Sequence, residues 1–300
     1  MTTRRPVSEP AALPKVLAAA LALATVLAAS GCGRQVPPAS SGRLQVFASI
    51  PPLASFTEAV GGERVRVQVL VTPGQDPHTY EPSPRQVAGL ARSRLLFLAG
   101  FPFEKALLPR LRQTMRQLEI VDTREGIDLL PDGEEAGGSD PHVWMSPRLA
   151  RRQAENIRDA LIRVDPEGAE AYRAFFEGFA AELDGLHAEL ARALAPLAGR
   201  ELLVYHPAFG YFAAEYGLKQ VAVETGGRQP SARELAQLIA LARERHIRVV
   251  FVQPQFSQTG ARAVAEAIGG AVVPLDDLPR DYLANLRDMS RKVQEALAAQ

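Results

Sequence analysis

Apolar residues fall into short runs that alternate with segments of helical period. Leu44 to Ala48 and Val65 to Val71 read as strands, with a helical stretch from Leu53 to Val60 between them that stops at Gly61-Gly62. The same order returns later, with Glu201 to Tyr205 as strand, Phe209 to Tyr216 as helix, Gly217 as stop and Gln220 to Val223 as strand. Two polar stretches match as well. Pro82-Ser83-Pro84-Arg85-Gln86 parallels Pro230-Ser231-Ala232-Arg233-Glu234, and each leads to an apolar strand, Leu95 to Leu98 and Val249 to Val252. Strands alternating with helices in both halves predict two similar α/β lobes with mainly parallel sheets, over 44–145 and 201–300.

The segment between them, 146–200, has a different period. Ser146-Pro147 is an N-cap and first-turn pair, and the helix it opens keeps Ala150, Ala154, Ile157 and Leu161 on one face. A second helix carries Tyr172, Phe176, Phe179, Leu183, Leu186, Leu190 and Leu194 at gaps of three and four. From Pro166 it spans about 29 residues, a rod of roughly 43 Å. Such a stripe fits a coiled-coil dimer or packing within one chain. Its Tyr and Phe content favours the second, so a monomer is expected, with lobes that move only modestly about a rigid connector.

The first 31 residues read as a lipoprotein signal peptide. Arg4, Arg5 and Lys15 precede a run from Val16 to Ala29 that is apolar except for Thr25, and Ala29-Ser30-Gly31-Cys32 follows. The run is too short to cross a bilayer core of roughly 30 Å but suits a secretory signal. The small residues before Cys32 resemble a bacterial lipobox, which makes Cys32 the expected lipidated first residue of the exported chain, anchored to the membrane and facing the periplasm or cell exterior. Residues 32–43, rich in Pro, Ser and Gly, read as a tether reaching about 36 to 40 Å when extended. No later segment is apolar enough to span a membrane, so the body is expected to be soluble.

Composition narrows the partners. The 300 residues hold 34 basic and 34 acidic side chains, and removing the first 31 leaves 31 against 33. Neither total provides an electrostatic footprint for a polyanion, so neither nucleic acid nor an acidic membrane surface is expected as partner. A single cysteine excludes an internal disulfide.

Chemistry concentrates in three of the five histidines. They stand in Asp76-Pro77-His78, Asp140-Pro141-His142 and Tyr205-His206-Pro207, where each proline holds the residue before it extended. Rigid loops presenting imidazoles from both lobes point to a metal site. His187, in the long helix, and His246, at a charged helix end, read as surface or helix-end residues. A fourth ligand is expected from the second lobe after a strand, and Asp276 in Ala271-Val272-Val273-Pro274-Leu275-Asp276-Asp277 supplies it, with Asp277 in reserve.

The segments DPHTYEPSP, DPHVWMSP, YHPAFGYFAAEYGL, FVQPQFS and VVPLDDL resemble those of the cluster A-I solute-binding lipoproteins of zinc and manganese ABC importers, over about Leu44 to the C-terminus. The resemblance implies two lobes joined by one long helix, a metal ion in the cleft between them, and a permease with its ATPase as partners. It also implies that His78, His142, His206 and Asp276 are the ligands. Zinc-type members resemble this chain in having histidine at the third position, where manganese-type members have glutamate. Three imidazoles and one carboxylate suit tetrahedral Zn²⁺, whereas Mn²⁺ prefers more oxygens. Protons would compete for free imidazoles below about pH 6.5. One departure is the stretch Pro131 to Ser139, acidic and without the histidines that many zinc-uptake members carry there, which leaves Mn²⁺ or Fe²⁺ open.

Other classes fit less well. A metallohydrolase needs a general base near metal-bound water, and no HExxH helix or paired carboxylate provides one. Glu81, the nearest candidate, reads instead as a group behind a ligand or as a structural group. Composition does not exclude a surface adhesin. A larger ligand, such as a metal chelate or cobalamin, would call for an aromatic-lined cleft in a chain with one Trp, Trp144.

Overall fold

The computed structural model describes residues 1–2, 42–132, 138–224, 230–256 and 258–298. Cys32, with nearly all of the expected signal and tether, lies outside the described residues, as does most of the acidic stretch after Asp132. Gly42–Gln300 forms one compact unit.

The first lobe runs β1 (Leu44–Ala48), α1 (Pro51–Gly61), β2 (Val65–Val69), α2 (Pro84–Leu90), β3 (Leu95–Leu98), α3 (Pro102–Thr114) and β4 (Glu119–Asp122). The connector comprises α4 (Pro147–Val164) and α5 (Ala169–Leu194). The second lobe repeats the scheme with β5 (Glu201–Val204), α6 (Gly210–Glu215), β6 (Lys219–Ala222), α7 (Ala232–Glu244), β7 (Val249–Val252), α8 (Gln258–Ala267) and β8 (Ala271–Pro274), and α9 (Tyr282–Ala298) ends the chain. Both sheets have four strands, all parallel, in the orders β2-β1-β3-β4 and β6-β5-β7-β8. Identical order is what the repeated pattern predicts. The continuous apolar runs of β3 and β7 are buried along their whole length, as central strands covered on both faces should be, while the edge strands β2 and β8 are partly exposed.

The matching polar stretches prove to be helix starts. Ser83 accepts from the Gln86 N–H and the Gln86 side chain reaches back to the Ser83 N–H; Ser231 and Glu234 make the same reciprocal box. In α5 the whole predicted stripe, Tyr172 to Leu194, is buried. It packs on α4, α1 and α9, with Phe179 5.7 Å from Phe56 and Phe56 edge-on to Tyr282 at 4.8 Å.

Residues from both lobes and both connector helices share one apolar core; a smaller second core lies within the second lobe. Hydrogen bonds cross between lobes too. Trp144 Nε1 donates to the Asp277 carbonyl at 2.6 Å, Tyr282 Oη to the Trp144 carbonyl at 2.6 Å and Tyr211 Oη to the Asp140 carbonyl at 3.0 Å, while Arg280 pairs with Glu58. Opening the lobes as rigid halves would expose this shared core. Solution scattering curves of the protein with and without added divalent metal are therefore expected to superimpose; a contraction like that of a hinge-closing binding protein would refute the shared-core argument.

Candidate metal centre

Parallel strands deliver their loops to one end of each sheet, and the three loop histidines emerge there. Both Asp-Pro-His turns use the same local device. Asp76 Oδ1 accepts from the His78 backbone N–H at 2.8 Å, and Asp140 Oδ1 accepts from that of His142 at 2.9 Å. With proline holding each aspartate extended, the turn fixes the direction in which the imidazole leaves. The first loop is pinned further by Tyr80, whose Oη donates to the Leu70 carbonyl at 2.6 Å.

The structure brings His78, His142 and His206 together, one ligand atom of each lying within 4.8 Å of the others. Nε2 of His78 and Nε2 of His206 are 3.1 Å apart, close to the roughly 3.3 Å edge of a tetrahedron with Zn–N bonds of about 2.0 Å. Behind two of the rings stand carboxylates, Asp140 Oδ1 at 2.7 Å from His142 Nδ1 and Glu224 Oε2 at 3.2 Å from His206 Nδ1. A ring that donates Nδ1–H backwards presents its Nε2 lone pair forwards.

Aromatic rings wall the cluster. Phe101 stands edge-on to His78 at 5.1 Å and to His142 at 5.8 Å, and Trp144 lies 5.3 Å from His142. Phe256 stacks nearly parallel on His206, 4.3 Å away. Phe101 owes its place to Glu104, a buried carboxylate that accepts the backbone N–H groups of Ala99, Gly100 and Phe101. Burial pushes the Glu104 carboxyl above its ordinary range, against the pull of those bonds and of Arg124.

Burial is also the main reason why the His78 and His206 imidazoles lie below the ordinary histidine range. His78 is lowered to about 2, with the His142 and His206 charges adding to the effect, and His206 to about 3, with His142 adding and Asp140 opposing. Both rings are neutral, ligand-competent bases at neutral pH. Glu224 is raised to about 7 by burial and then by Asp76.

The expected fourth ligand is placed differently from the histidines. Asp276 is outside the histidine group: its Oδ1 accepts from Gln255 Nε2 at 3.1 Å and from the Leu278 N–H at 3.0 Å, and it borders a separate cavity of about 590 Å³. Asp277 is buried, with Oδ1 lacking a hydrogen-bond partner among the described residues, and is raised to about 7 by burial, His142 opposing.

Glu81 is exposed, so the carboxylates behind the rings are Asp140 and Glu224 instead. Sequence proximity misdirected that choice. Glu224 follows β6, at the strand end that the repeat makes equivalent to the loop carrying His78, which is the signal that could have found it. His187 is distant from the cluster in role; its Nδ1 is 3.3 Å from Glu215 Oε1 and its ring stacks on Tyr216. His246 is exposed and takes the left-handed conformation, φ 57°, that closes α7.

Comparison with known proteins identifies the family. The family described as zinc-uptake complex component A, periplasmic (ZnuA), matches residues 46–296. The high-affinity zinc uptake system protein ZnuA of Bacillus subtilis (strain 168) is 30% identical over 253 residues, covering 79% of each chain. The manganese-binding lipoprotein MntA of Halalkalibacterium halodurans is 27% identical over 263 residues, covering 86% of this chain and 87% of that one. A crystal structure of ZnuA superposes with a TM-score of 0.81 at 40% identity, covering 85% of this chain and 99% of its own.

Proposed function

Since the chain belongs to the ZnuA family of periplasmic zinc-uptake components, we propose that its cargo is Zn²⁺, bound by His78, His142 and His206 and handed to a membrane permease. As a member it is a metal-binding component of an ABC importer and not an enzyme. The observation that carries the zinc reading is the convergence of three buried or half-buried imidazoles on one point. Nitrogen donors favour Zn²⁺ over Mn²⁺, both by ligand preference and by the general affinity order. Asp276 is the proposed fourth ligand, reached when its carboxylate gives up Gln255, with Asp277 beside it as the alternative. Cys32 is the proposed lipid anchor that keeps the body at the membrane. Mn²⁺ or Fe²⁺ as cargo is the second reading, favoured by relatives whose names give manganese or iron as the metal bound.

Calorimetric titration of the metal-free protein with Zn²⁺ and with Mn²⁺ tests the assignment, and a preference for Mn²⁺ would sink it. The pH dependence is a sharper check. Free imidazoles would each cost about tenfold in affinity between pH about 7.5 and about 5.5. With His78 and His206 lowered to about 2 and about 3, protons do not compete with metal at these two rings over that range. The dependence expected there from the carboxylate side follows Glu224: raised to about 7, it gains a proton on acidification and supports the His206 lone pair less. Affinity is thus expected to decline gently as pH falls through about 7, and Glu224→Gln to remove that slope. A steep loss centred near 6.5 that persists in Glu224→Gln would contradict the assignment of burial as the controlling cause.

A further inference from the structure

The balanced total charge conceals a segregated one. From Pro84 to Leu118 the chain has seven basic side chains, all exposed, and one acidic one, the buried Glu104. Because the strands of the first sheet are parallel and in register, they all begin at one end, and several of these cations gather there. Arg43 immediately precedes β1, Arg92 and Arg94 precede β3, Arg116 precedes β4, and Arg112 is in the last turn of α3. All five are exposed, and among the described residues none has an ion-pair partner. β1, β3 and β4 are neighbours about 5 Å apart, so the row is dense.

The carboxylates at this end do not cancel it. Glu119 pairs with Arg163 and Asp165 with Arg64. Exposed Glu63 precedes β2, the edge strand on the far side of β1, and Glu167 follows Asp165 there. In the second lobe the matching rim is mixed, since Arg200, Lys219 and Arg248 stand with exposed Glu244 and Glu266, and Arg245 is held by Glu201.

We propose that the strand-start rim of the first lobe, Arg43, Arg92, Arg94, Arg112 and Arg116, is a docking surface for anionic phospholipid headgroups. A row of unpaired guanidiniums along one edge of a sheet matches a flat anionic surface, and each such cation close to the lipid adds to the attraction. The chain enters the body at Arg43, within this rim, so the proposed anchor at Cys32 would tie this end of the body to the membrane. The histidines leave from the opposite ends of the strands, about 16 Å away for a five-residue strand, so docking points the cleft away from the lipid. The inference is independent of which metal is carried.

The test is co-flotation of the compact unit Gly42–Gln300, in the presence of chelator, with vesicles of phosphatidylcholine alone or with about one third phosphatidylglycerol. Flotation is expected only with phosphatidylglycerol and is expected to vanish in about 0.5 M salt. Partition should fall about fivefold per arginine lost, hence several hundredfold in the variant R92E/R94E/R112E/R116E, whose Zn²⁺ titration stays unchanged and so reports an intact fold. Absence of flotation with phosphatidylglycerol at low salt overturns the proposal, as does undiminished flotation of the fourfold variant. Loss of flotation in R200E/R248E instead would place the surface on the wrong lobe. Capture by soluble polyglutamate without binding to vesicles would assign the rim to an acidic protein and overturn it equally.

Discussion

Replacing His206 with alanine is expected to lower Zn²⁺ affinity by about a thousandfold or more, beyond the 10- to 100-fold typical of losing a carboxylate behind a ligand. In the proposed site the substitution removes one of three nitrogens and also strands Glu224, which is buried against the ring. It leaves His78, whose Nε2 faces His206 Nε2 at 3.1 Å, without the partner that completes the coordination angle. His206→Glu should restore part of the affinity while narrowing the preference for Zn²⁺ over Mn²⁺, because it exchanges an imidazole for a hard oxygen. His187→Ala and His246→Ala should leave both affinities unchanged, since one ring lies against Glu215 and the other is in solvent. Calorimetry of the four variants with both metals decides the matter; zinc binding indifferent to the loss of His206 would remove it from the site.

Glu104→Ala is expected to be strongly destabilising, lowering unfolding free energy by about 3–4 kcal/mol. The carboxylate accepts three successive backbone N–H groups, with Ala99 at 2.9 Å and Phe101 at 3.0 Å, and alanine leaves the buried ones among them unsatisfied. Each orphaned donor costs about 1 kcal/mol or more. The change also frees the turn that holds Phe101 against His78 and His142, so zinc affinity should fall even under conditions where the variant is fully folded. Urea unfolding with an unchanged slope, paired with zinc titration, separates the two effects. A midpoint near that of the parent protein would show that this carboxylate does not organise the turn.

What was legible in the sequence was chiefly local or periodic. The Ser83 and Ser231 boxes are completed within four residues, and the α5 stripe repeats over its whole length, so pattern alone finds them. The Asp-Pro-His turns are equally local, and they identify His78 and His142 without reference to the fold. Element ends shift slightly: Val65 to Val71 was expected as strand, whereas β2 closes at Val69 and Leu70 and Val71 continue beside β1 by backbone bonds alone. The contacts that finish the site are not local. Glu224 meets His206 across 18 residues, Phe256 reaches it across 50, and Trp144 binds Asp277 across 133, so no spacing rule connects them. Helix α3 is hidden for another reason, since Pro109 inside it reads as a breaker although the helix continues to Thr114. The charged rim escapes notice because whole-chain sums average over ends that the fold keeps apart.

The division of the second lobe between two cores has a consequence for how firmly each ligand is held. Tyr205 belongs to the smaller core and Ala208 to the larger one, so His206 lies on the seam between them. The smaller core is built from β5 to β8 with α7 and α8, and of α7 only Ala242 is buried. A unit with so few apolar anchors opens at a lower free energy than the body it adjoins. His78 and His142 hang from the more durable tier, while Phe256, packed on the weaker tier, covers the ring at the seam. Local melting of that tier would uncover one imidazole and leave the other two in register.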